Sequence, residues 1–418
     1  MPTINYLDFL KEYEGMQPGL LRIRQFLSLV NNPQNSFSSV QIAGTNGKGS
    51  TALFLSNILE KHKYKVGLYT SPHLLNICER IKINEKEISK KALTSILKKY
   101  FPYAKDCTLS YFEYLTAAAF IYFAHKKVDI AVLETGLGGR FDATNVVDKS
   151  LGSIISSISF DHQEILGNSL SEIAFEKAGI IKKKSFTVCA DLPNPALKEI
   201  LKKTNPYIYG KDFKVQNIRS NSKYQEFDYL GLSADFKNLK IAMHGHHQIH
   251  NAAIALCAAE LLLGSNIYKT AIAPALLTSI NPARFDIRKV KLGKRRTELI
   301  IDGAHNEEGL LSFINTLKTS EHAKDKIPFI FATMKEKSYE KMVKTISTVA
   351  SKVILPQIKN PRAVQPAELK KLFLRYADGI EVIEVKNTKR ALDKIKDEKR
   401  VAVIGSLYLA GEVLKYLH

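Results

Sequence analysis

The sequence predicts an α/β protein of two doubly wound domains, the first larger and carrying a small antiparallel β excursion. Three observations predict it. The chain has 418 residues, enough at ordinary domain sizes for about two or three cores. Short apolar runs alternate with amphipathic stretches of helix length, the pattern of a parallel sheet covered by helices on both faces. That alternation lapses over 206–243 and resumes near 298. The expected division is 1–281 for the first domain, 282–297 for a linker and 298–418 for the second.

Taken in order, the first forty residues read as polar and helical, with Leu20, Ile23, Phe26 and Leu27 at helical spacing. A strand is expected at 39–43, then a glycine-rich turn, then a helix over 51–62. Further strands are expected at 65–70, 129–134, 152–158 and 185–190, separated by helix-length sequence. Residues 206–243 are richer in Tyr, Phe, Asn and Ser, which predicts short antiparallel strands. A buried helix over about 250–263 closes the first domain. Its apolar run, 252–264, is broken by Glu260 and is too short to span a bilayer. Pro282 disfavours helix at the residue before it, which puts a boundary at 280–284. The second series places strands at 298–301, 328–332, 352–355, 380–385 and 401–404, a doubly wound domain of about 120 residues.

Hydrophobic residues make up 45% and charged residues 24% of the chain, an ordinary globular balance. No basic-then-apolar segment opens the sequence, so a secretory signal is not expected. Cys78, Cys107, Cys189 and Cys257 lack CxxC or Cys/His spacing, which disfavours disulfides and zinc and fits a reducing cytoplasm. The formal charge of +20 comes mostly from dispersed lysines, as at 61–65, 182–184 and 335–337. No aromatic-interleaved arginine patch accompanies them, so neither a nucleic acid nor a membrane is an expected partner. Such a surface still favours small anionic substrates.

The strongest local signal is Ala43-Gly44-Thr45-Asn46-Gly47-Lys48-Gly49-Ser50-Thr51, after a strand and opening a helix. Glycines let successive N–H groups point into one concavity, the helix start adds positive potential, and Lys48 supplies a mobile charge for outer phosphates. Ser50 or Thr51 can offer a hydroxyl oxygen to Mg²⁺. The spacing is not that of the common phosphate-loop string: Gly44 and Gly47 are closer, and Gly49 separates the lysine from the hydroxyls.

This run resembles the variant phosphate loop of the Mur-ligase superfamily, ATP-dependent amide ligases. Ser71-Pro72-His73-Leu74, Glu79-Arg80-Ile81 and the upstream Asn32-Pro33-Gln34 are similar to its folate branch, the bifunctional dihydrofolate synthase/folylpolyglutamate synthase family. Similar motifs continue to Gly405-Ser406-Leu407-Tyr408, so the resemblance covers nearly the whole chain. It implies a P-loop ATPase-like first domain, a Rossmann-like second domain, and ATP with two Mg²⁺ ions.

Glu134 ends a strand and precedes the glycine-rich 135–145, where ligands of open parallel sheets gather. A carboxylate there suits Mg²⁺ held against phosphates. Asp161-His162 occupies the equivalent position after the next strand, although hard cations prefer oxygen to imidazole. The resemblance implies Ser71, Glu134 and His162 as Mg²⁺ ligands. It implies that Lys177, in Glu176-Lys177-Ala178-Gly179-Ile180, carries a carbamate formed with CO₂, which requires a neutral amine. Lys48, Lys177 and His162 are then the catalytic residues.

For the nucleotide the resemblance implies Asn46, Gly47, Lys48, Gly49, Ser50 and Thr51, together with Asn251, Arg284, Asp302 and His305. Asn251 also fits a simple helix cap. The family more often has glycine where this chain has Ala283. Residues reaching the nucleotide from the second domain would close the site and exclude water. For the acid substrate it implies Tyr111, Phe112, Glu113, Phe141 and Asp142, since aromatic faces suit a flat pterin and a carboxylate suits its N–H donors. On composition alone these aromatics read as core. Ser406 is a candidate for the glutamate pocket.

The implied activity is ATP-dependent ligation of L-glutamate to a pterin acid or folate by a cytoplasmic monomer. Phosphoryl transfer turns the inert carboxylate into an acyl phosphate that the amine of glutamate captures. The nearest alternative is a peptidoglycan-precursor Mur ligase, against which the segments 71–73, 111–113 and 137–145 stand. A nucleic-acid-binding P-loop ATPase is suggested only by the charge.

Overall fold

A computed structural model describes residues 19–293, 296–319, 326–376 and 379–417. Of the helix expected in the first forty residues, 1–18 lie outside the described residues, and Leu21–Leu29 is helical with Ile23, Phe26 and Leu27 buried. The chain divides into two compact units. One holds the chain up to Ile218, with Phe227–Lys240 and Ile249–Ser279; the other holds Arg219–Glu226, Ile241–Gln248 and the chain from Ile280.

The first unit is built on an eight-stranded sheet. Its strands are β1 (Ser38–Ala43), β2 (Val66–Tyr69), β3 (Ile81–Ile83), β4 (Lys86–Glu87), β5 (Ile130–Glu134), β6 (Ser150–Ile155), β7 (Phe186–Cys189) and β8 (Tyr207–Ile208). Their order is β4-β3-β2-β5-β1-β6-β7-β8. β1 runs parallel to β5 and β6 on either side, with Ile42 opposite Glu134 and Ala43 opposite Ile155. β2 and β5 are buried throughout and β1 nearly so, because helices cover both faces. Helix Tyr111–Lys126 packs its Leu115, Ala118 and Phe120 into the core that holds Tyr69, Ala131 and Leu133. Ala43 and Ile155 belong to a second core with Ile173, Ala174, Ala196 and Ile200.

Two features depart from the sequence reading. β3 and β4 run antiparallel as an edge hairpin beside β2, so the sheet is mixed at that side. Strands of three and two residues are too short to show a period. The expected closing helix starts earlier, spanning His246–Leu263, and helix Lys269–Thr278 follows it.

The excursion folds as expected. β9 (Lys214–Ser220), β10 (Gln225–Leu230) and β11 (Asp235–Ile241) form a three-stranded sheet in the order β11-β10-β9. The connections 221–224 and 231–234 are too short for a parallel crossover, so neighbouring strands are antiparallel. Glu260, the charge that interrupts the apolar helix, anchors the second connection. Its buried carboxylate accepts hydrogen bonds from Tyr229 Oη at 2.5 Å, from the backbone N–H groups of Leu232, Ser233 and Ala234, each at 3.1 Å, and from Ser233 Oγ at 3.2 Å.

The second unit contains β12 (Asp286–Lys291), β13 (Arg296–Ile301), β14 (Ile327–Phe331), β15 (Ala350–Pro356), β16 (Glu381–Val385) and β17 (Arg400–Ile404), ordered β12-β13-β17-β14-β15-β16. From β13 to β16 all pairings are parallel. The stretch 282–297, read as a linker, instead carries β12, which pairs antiparallel with β13 from Asp286 opposite Ile301 to Lys291 opposite Arg296. As an edge strand it keeps charged side chains on partly exposed positions, so its apolar signal is weak. Phe313, Phe329, Phe331 and Phe373 centre the core of this unit. No described helix is long and apolar enough to cross a membrane.

Replacing Glu260 by alanine leaves buried donors unpaired. The Glu260→Ala variant is expected to lose about 3 kcal/mol of stability, read as a lower urea midpoint. An unchanged midpoint would show that the anchor contributes nothing.

Candidate active site

The site is built at the carboxyl end of β1. Beyond Ala43 the backbone must pass close to the next strand's extension: a Cβ on Gly44 would collide with Ser156 Oγ. Gly47 has φ +85, and a Cβ there would stand 2.5 Å from Asn251 Oδ1. Both positions therefore require glycine. The segment after β6 braces the loop. Thr45 N donates to Ser157 O at 3.0 Å and Asn46 N to Ser157 Oγ at 2.8 Å. The Ser156 and Ser157 hydroxyls contact Asn46 O at 2.7 and 3.0 Å. Helix Lys48–Lys61 then starts, presenting the end of its dipole that favours anions.

Two ammonium groups converge on this loop. Lys48 Nζ donates to Gly44 O at 3.0 Å and to Thr45 O at 3.1 Å. Lys177, only 5% exposed at the end of helix Leu170–Lys177, donates from Nζ to the same Gly44 O at 2.8 Å. The carboxylate of Glu134 joins them: Oε2 accepts from Ser71 N at 3.0 Å and lies 3.3 Å from where a Cβ on Gly49 would stand. The structure thus gathers Gly44, Gly47, Lys48, Gly49, Ser71, Glu134, Lys177 and Asn251. His162 has φ +51 and a side chain 39% exposed, with Nε2 3.8 Å from Asp161 Oδ2.

These residues fit a hard divalent cation. Among the described residues no group of three or more His, Cys, Asp or Glu converges as a metal cage. Mg²⁺ needs none, because it binds through one or two carboxylates plus water and phosphate oxygens. Thr51 Oγ1 is buried without a hydrogen-bond partner, an orphaned oxygen at the start of the helix. Glu134, Ser71 and the hydroxyls of Ser50 and Thr51 are the residues that would hold the ion.

The residues expected to meet the acid substrate divide into two groups. Phe112 lies against the turn after β5, where a Cβ on Gly136 would stand 2.5 Å from its Cζ. Tyr111 lies under the Arg80 guanidinium, 5.6 Å from ring centre to Cζ, and Phe141 is 44% exposed. Asp142 and Glu113 instead serve their own backbone. Asp142 accepts from Gly136 N, Leu137 N, Thr144 N and Thr144 Oγ1 at 2.7–3.0 Å. Burial raises its carboxyl above the usual range, against the lowering effect of those bonds. Glu113 closes a capping box with Ser110 and pairs with Arg22 at 3.3 Å.

Sequence reasoning gave no role to Arg80 or to the Ser156–Ser157 pair. Arg80 is buried and donates from Nε to His73 Nδ1 at 2.9 Å. Its motif was visible, but burial of an arginine is a tertiary fact. The serines sit inside a predicted strand and had no signal of their own.

Within the second unit, Asp302 follows β13. It accepts from Ala304 N and Phe285 N, both at 2.7 Å, and burial raises its carboxyl even though Arg284 is near. Arg284 stands between Ala283 at φ +57 and Phe285 at φ +50. The left-handed backbone at 283 explains why glycine would fit there. His305 Nδ1 lies 3.0 Å from Gly303 O. Ser406 caps helix Leu407–Leu417, accepting from Leu409 N at 3.2 Å and donating to Ala332 O at 3.0 Å.

A phosphate loop with two converging lysines and a strand-end carboxylate defines an ATP-dependent ligase of the Mur type, and residues 42–259 match the family model described as Mur ligase middle domain. Residues 284–416 match the model described as dihydrofolate synthetase, C-terminal domain. The chain is 34% identical to the dihydrofolate synthase/folylpolyglutamate synthase of Bacillus subtilis (strain 168), over 96% of each chain. It is 32% identical to the dihydrofolate synthetase of Saccharomyces cerevisiae, over 96% of this chain and 98% of that one. Its structure is similar to Mycobacterium tuberculosis folylpolyglutamate synthase complexed with ADP, with a TM-score of 0.91, 26% identity and 99% of each chain covered. It is also similar to folylpolyglutamate synthase from Thermotoga maritima, with a TM-score of 0.86, 34% identity and 99% and 97% covered. The chain belongs to the dihydrofolate synthase/folylpolyglutamate synthase family.

Gly47→Ala introduces both backbone strain and a clash with Asn251. ADP affinity, measured by calorimetry, is expected to fall by at least about tenfold while the variant stays folded. Wild-type affinity would show that this close approach does not shape the nucleotide site.

Proposed function

We propose that the protein joins the amino group of L-glutamate to a folate-type carboxylate, either dihydropteroate, a tetrahydrofolate, or both, with conversion of ATP to ADP and phosphate. The observation that carries this reading is the convergence of Lys48 and Lys177 on Gly44 O, with Glu134 facing the same loop. A carboxylate cannot acylate an amine directly because its leaving group would be oxide. Its oxygen therefore takes the γ-phosphoryl group from ATP, and the amine then displaces phosphate from the acyl phosphate. Lys48 and the helix N–H groups stabilise the outer phosphates, where charge shifts during transfer. Glu134, Ser71 and the hydroxyls of Ser50 and Thr51 would hold Mg²⁺, whose positive charge would offset the charge of the phosphates. Asn251, Arg284, Asp302 and His305 are further nucleotide contacts.

Lys177 acts as a carbamate. Such a group keeps one N–H, so the bond to Gly44 O is compatible with it; its carboxylate, with His162, would supply ligands for a second Mg²⁺. Tyr111, Phe112 and Phe141 offer aromatic surface to the pterin, and Asp142 and Glu113 hold the segments that carry those rings. The protein works as a cytoplasmic monomer on small molecules, without nucleic acid or membrane as a partner. The unit built on the eight-stranded sheet is its ATP-binding domain, and the unit that takes the chain from Ile280, β12 included, its C-terminal domain.

The test is ADP formation assayed with dihydropteroate plus glutamate, tetrahydrofolate plus glutamate, and single-stranded DNA. Glutamate-dependent turnover with either pterin acid is expected; stimulation by DNA alone would overturn the reading. Lys48→Ala is expected to lower turnover by at least about a hundredfold in a folded protein, and near-normal turnover would remove Lys48 from the phosphate site. Lys177→Ala should regain part of its activity when short carboxylic acids are added. No recovery in a folded variant would count against the carbamate.

A further inference from the structure

Lys177 sits at the last position of its helix, where side chains are least constrained, yet its Nζ is held on one carbonyl of the phosphate loop. Among the side chains that tie down this helix end, Arg140 is the one that holds the residue next to Lys177. We infer that Arg140 is a positioning residue for Lys177, an inference that rests on the role given to Lys177 above.

The loop 138–142 and the turn 176–180 are packed backbone against backbone. A Cβ on Gly139 would stand 2.7 Å from Lys177 O and 3.0 Å from Glu176 O, and a Cβ on Gly179 would stand 2.6 Å from Arg140 N. Arg140 N donates to Glu176 O at 2.8 Å. Its guanidinium then grips the same residue's carboxylate with two parallel bonds, Nε to Oε2 at 3.1 Å and a terminal nitrogen to Oε1 at 2.6 Å. Arg140 therefore holds the residue before Lys177 by main chain and side chain together. Asn145 Nδ2 locks the two segments by donating to Arg140 O at 3.0 Å and Gly179 O at 3.1 Å.

The guanidinium is itself held in orientation, stacked 4.2 Å over the Phe141 ring and 5.0 Å over the Phe175 ring. Side-chain exposure is 42% for Arg140 and 19% for Glu176. A half-exposed pair of this kind contributes little to stability. What the fork and the stacking supply is direction, which a point charge would not. The stability of the fold and the placement of Lys177 are thereby separable.

The placement can be read directly by competitive acetylation of the full chain, with mass spectrometry at Lys177. With CO₂ and bicarbonate removed so that the amine is free in every variant, buried Lys177 is expected to be protected in the wild type. In Arg140→Gln it is expected to acetylate at least about tenfold faster, as local opening frees the helix end. Lys352 in the second unit, also paired and largely buried, should be labelled equally in both and serves as the internal control. The unfolding midpoint is expected to fall by only a few degrees. Turnover should drop by about tenfold or more with the KM for ATP unchanged. Arg140→Lys, which keeps the charge and loses the fork, should also lose protection, and the reversed pair Arg140→Glu with Glu176→Arg should regain part of it.

Wild-type protection of Lys177 in folded Arg140→Gln would overturn the inference. So would a loss of turnover in step with thermal stability across the variants. Should Arg140→Gln fail to fold, the same comparison in Arg140→Lys decides. A wild type without glutamate-dependent ADP formation would overturn the functional reading instead, and the labelling would still decide the role of Arg140.

Discussion

The carbonyl oxygen of Gly44 carries the organisation of the first unit. Two lysine ammonium groups, from residues far apart in sequence, rest on it at 3.0 and 2.8 Å. As free amines the two would bring like charge to one oxygen in a partly buried site, which is costly; the carbamate proposed for Lys177 removes one of those charges. Much of the surrounding structure makes that convergence available to an anion. β1 delivers the loop from the middle of the sheet, and its neighbours β5 and β6 deliver Glu134 and the bracing serines at the same level. Gly44 and Gly47 lack the side chains that would block the close approaches.

Buried carboxylates play two distinct parts in this molecule. Asp142 and Glu260 have both oxygens engaged by backbone N–H and hydroxyl donors and hold turns in place, and Asp302 accepts one backbone N–H on each oxygen. Glu134 is turned toward the helix start instead, with its oxygens near Gly49. The difference lies in where each stands. A carboxylate inside a tight turn finds its donors among the next few residues, while one at the end of a central strand looks out over the crevice where ligands bind.

Motif reading locates such segments without showing what each side chain in them touches. The chain 135–145 was recognisable as a functional segment, and Phe141 and Asp142 stand side by side in it. The exposed ring of Phe141 remains available to a ligand, whereas Asp142 spends both oxygens on Gly136, Leu137 and Thr144. Glu113 is similar: its position three residues after Ser110 is the spacing of a capping box, and the capping box forms. Among the elements, the long periodic ones were legible, while the short hairpin β3–β4 and the edge strand β12 were not. Short strands and half-exposed edges carry few apolar residues, so they leave no period to read.

By itself the sequence determined the alternating architecture, the glycine-lysine loop after the first strand and the strand-end glutamate. Each of these is written in local chemistry: backbone freedom at glycine, apolar periodicity, and the charge that follows a buried strand. Only the tertiary structure decided which groups meet. Lys177 reaches Gly44 across more than a hundred residues, and Arg140 grips Glu176 from a separate loop 36 residues earlier. Such meetings depend on strand order and on the packing of loops against each other, and no local preference encodes either.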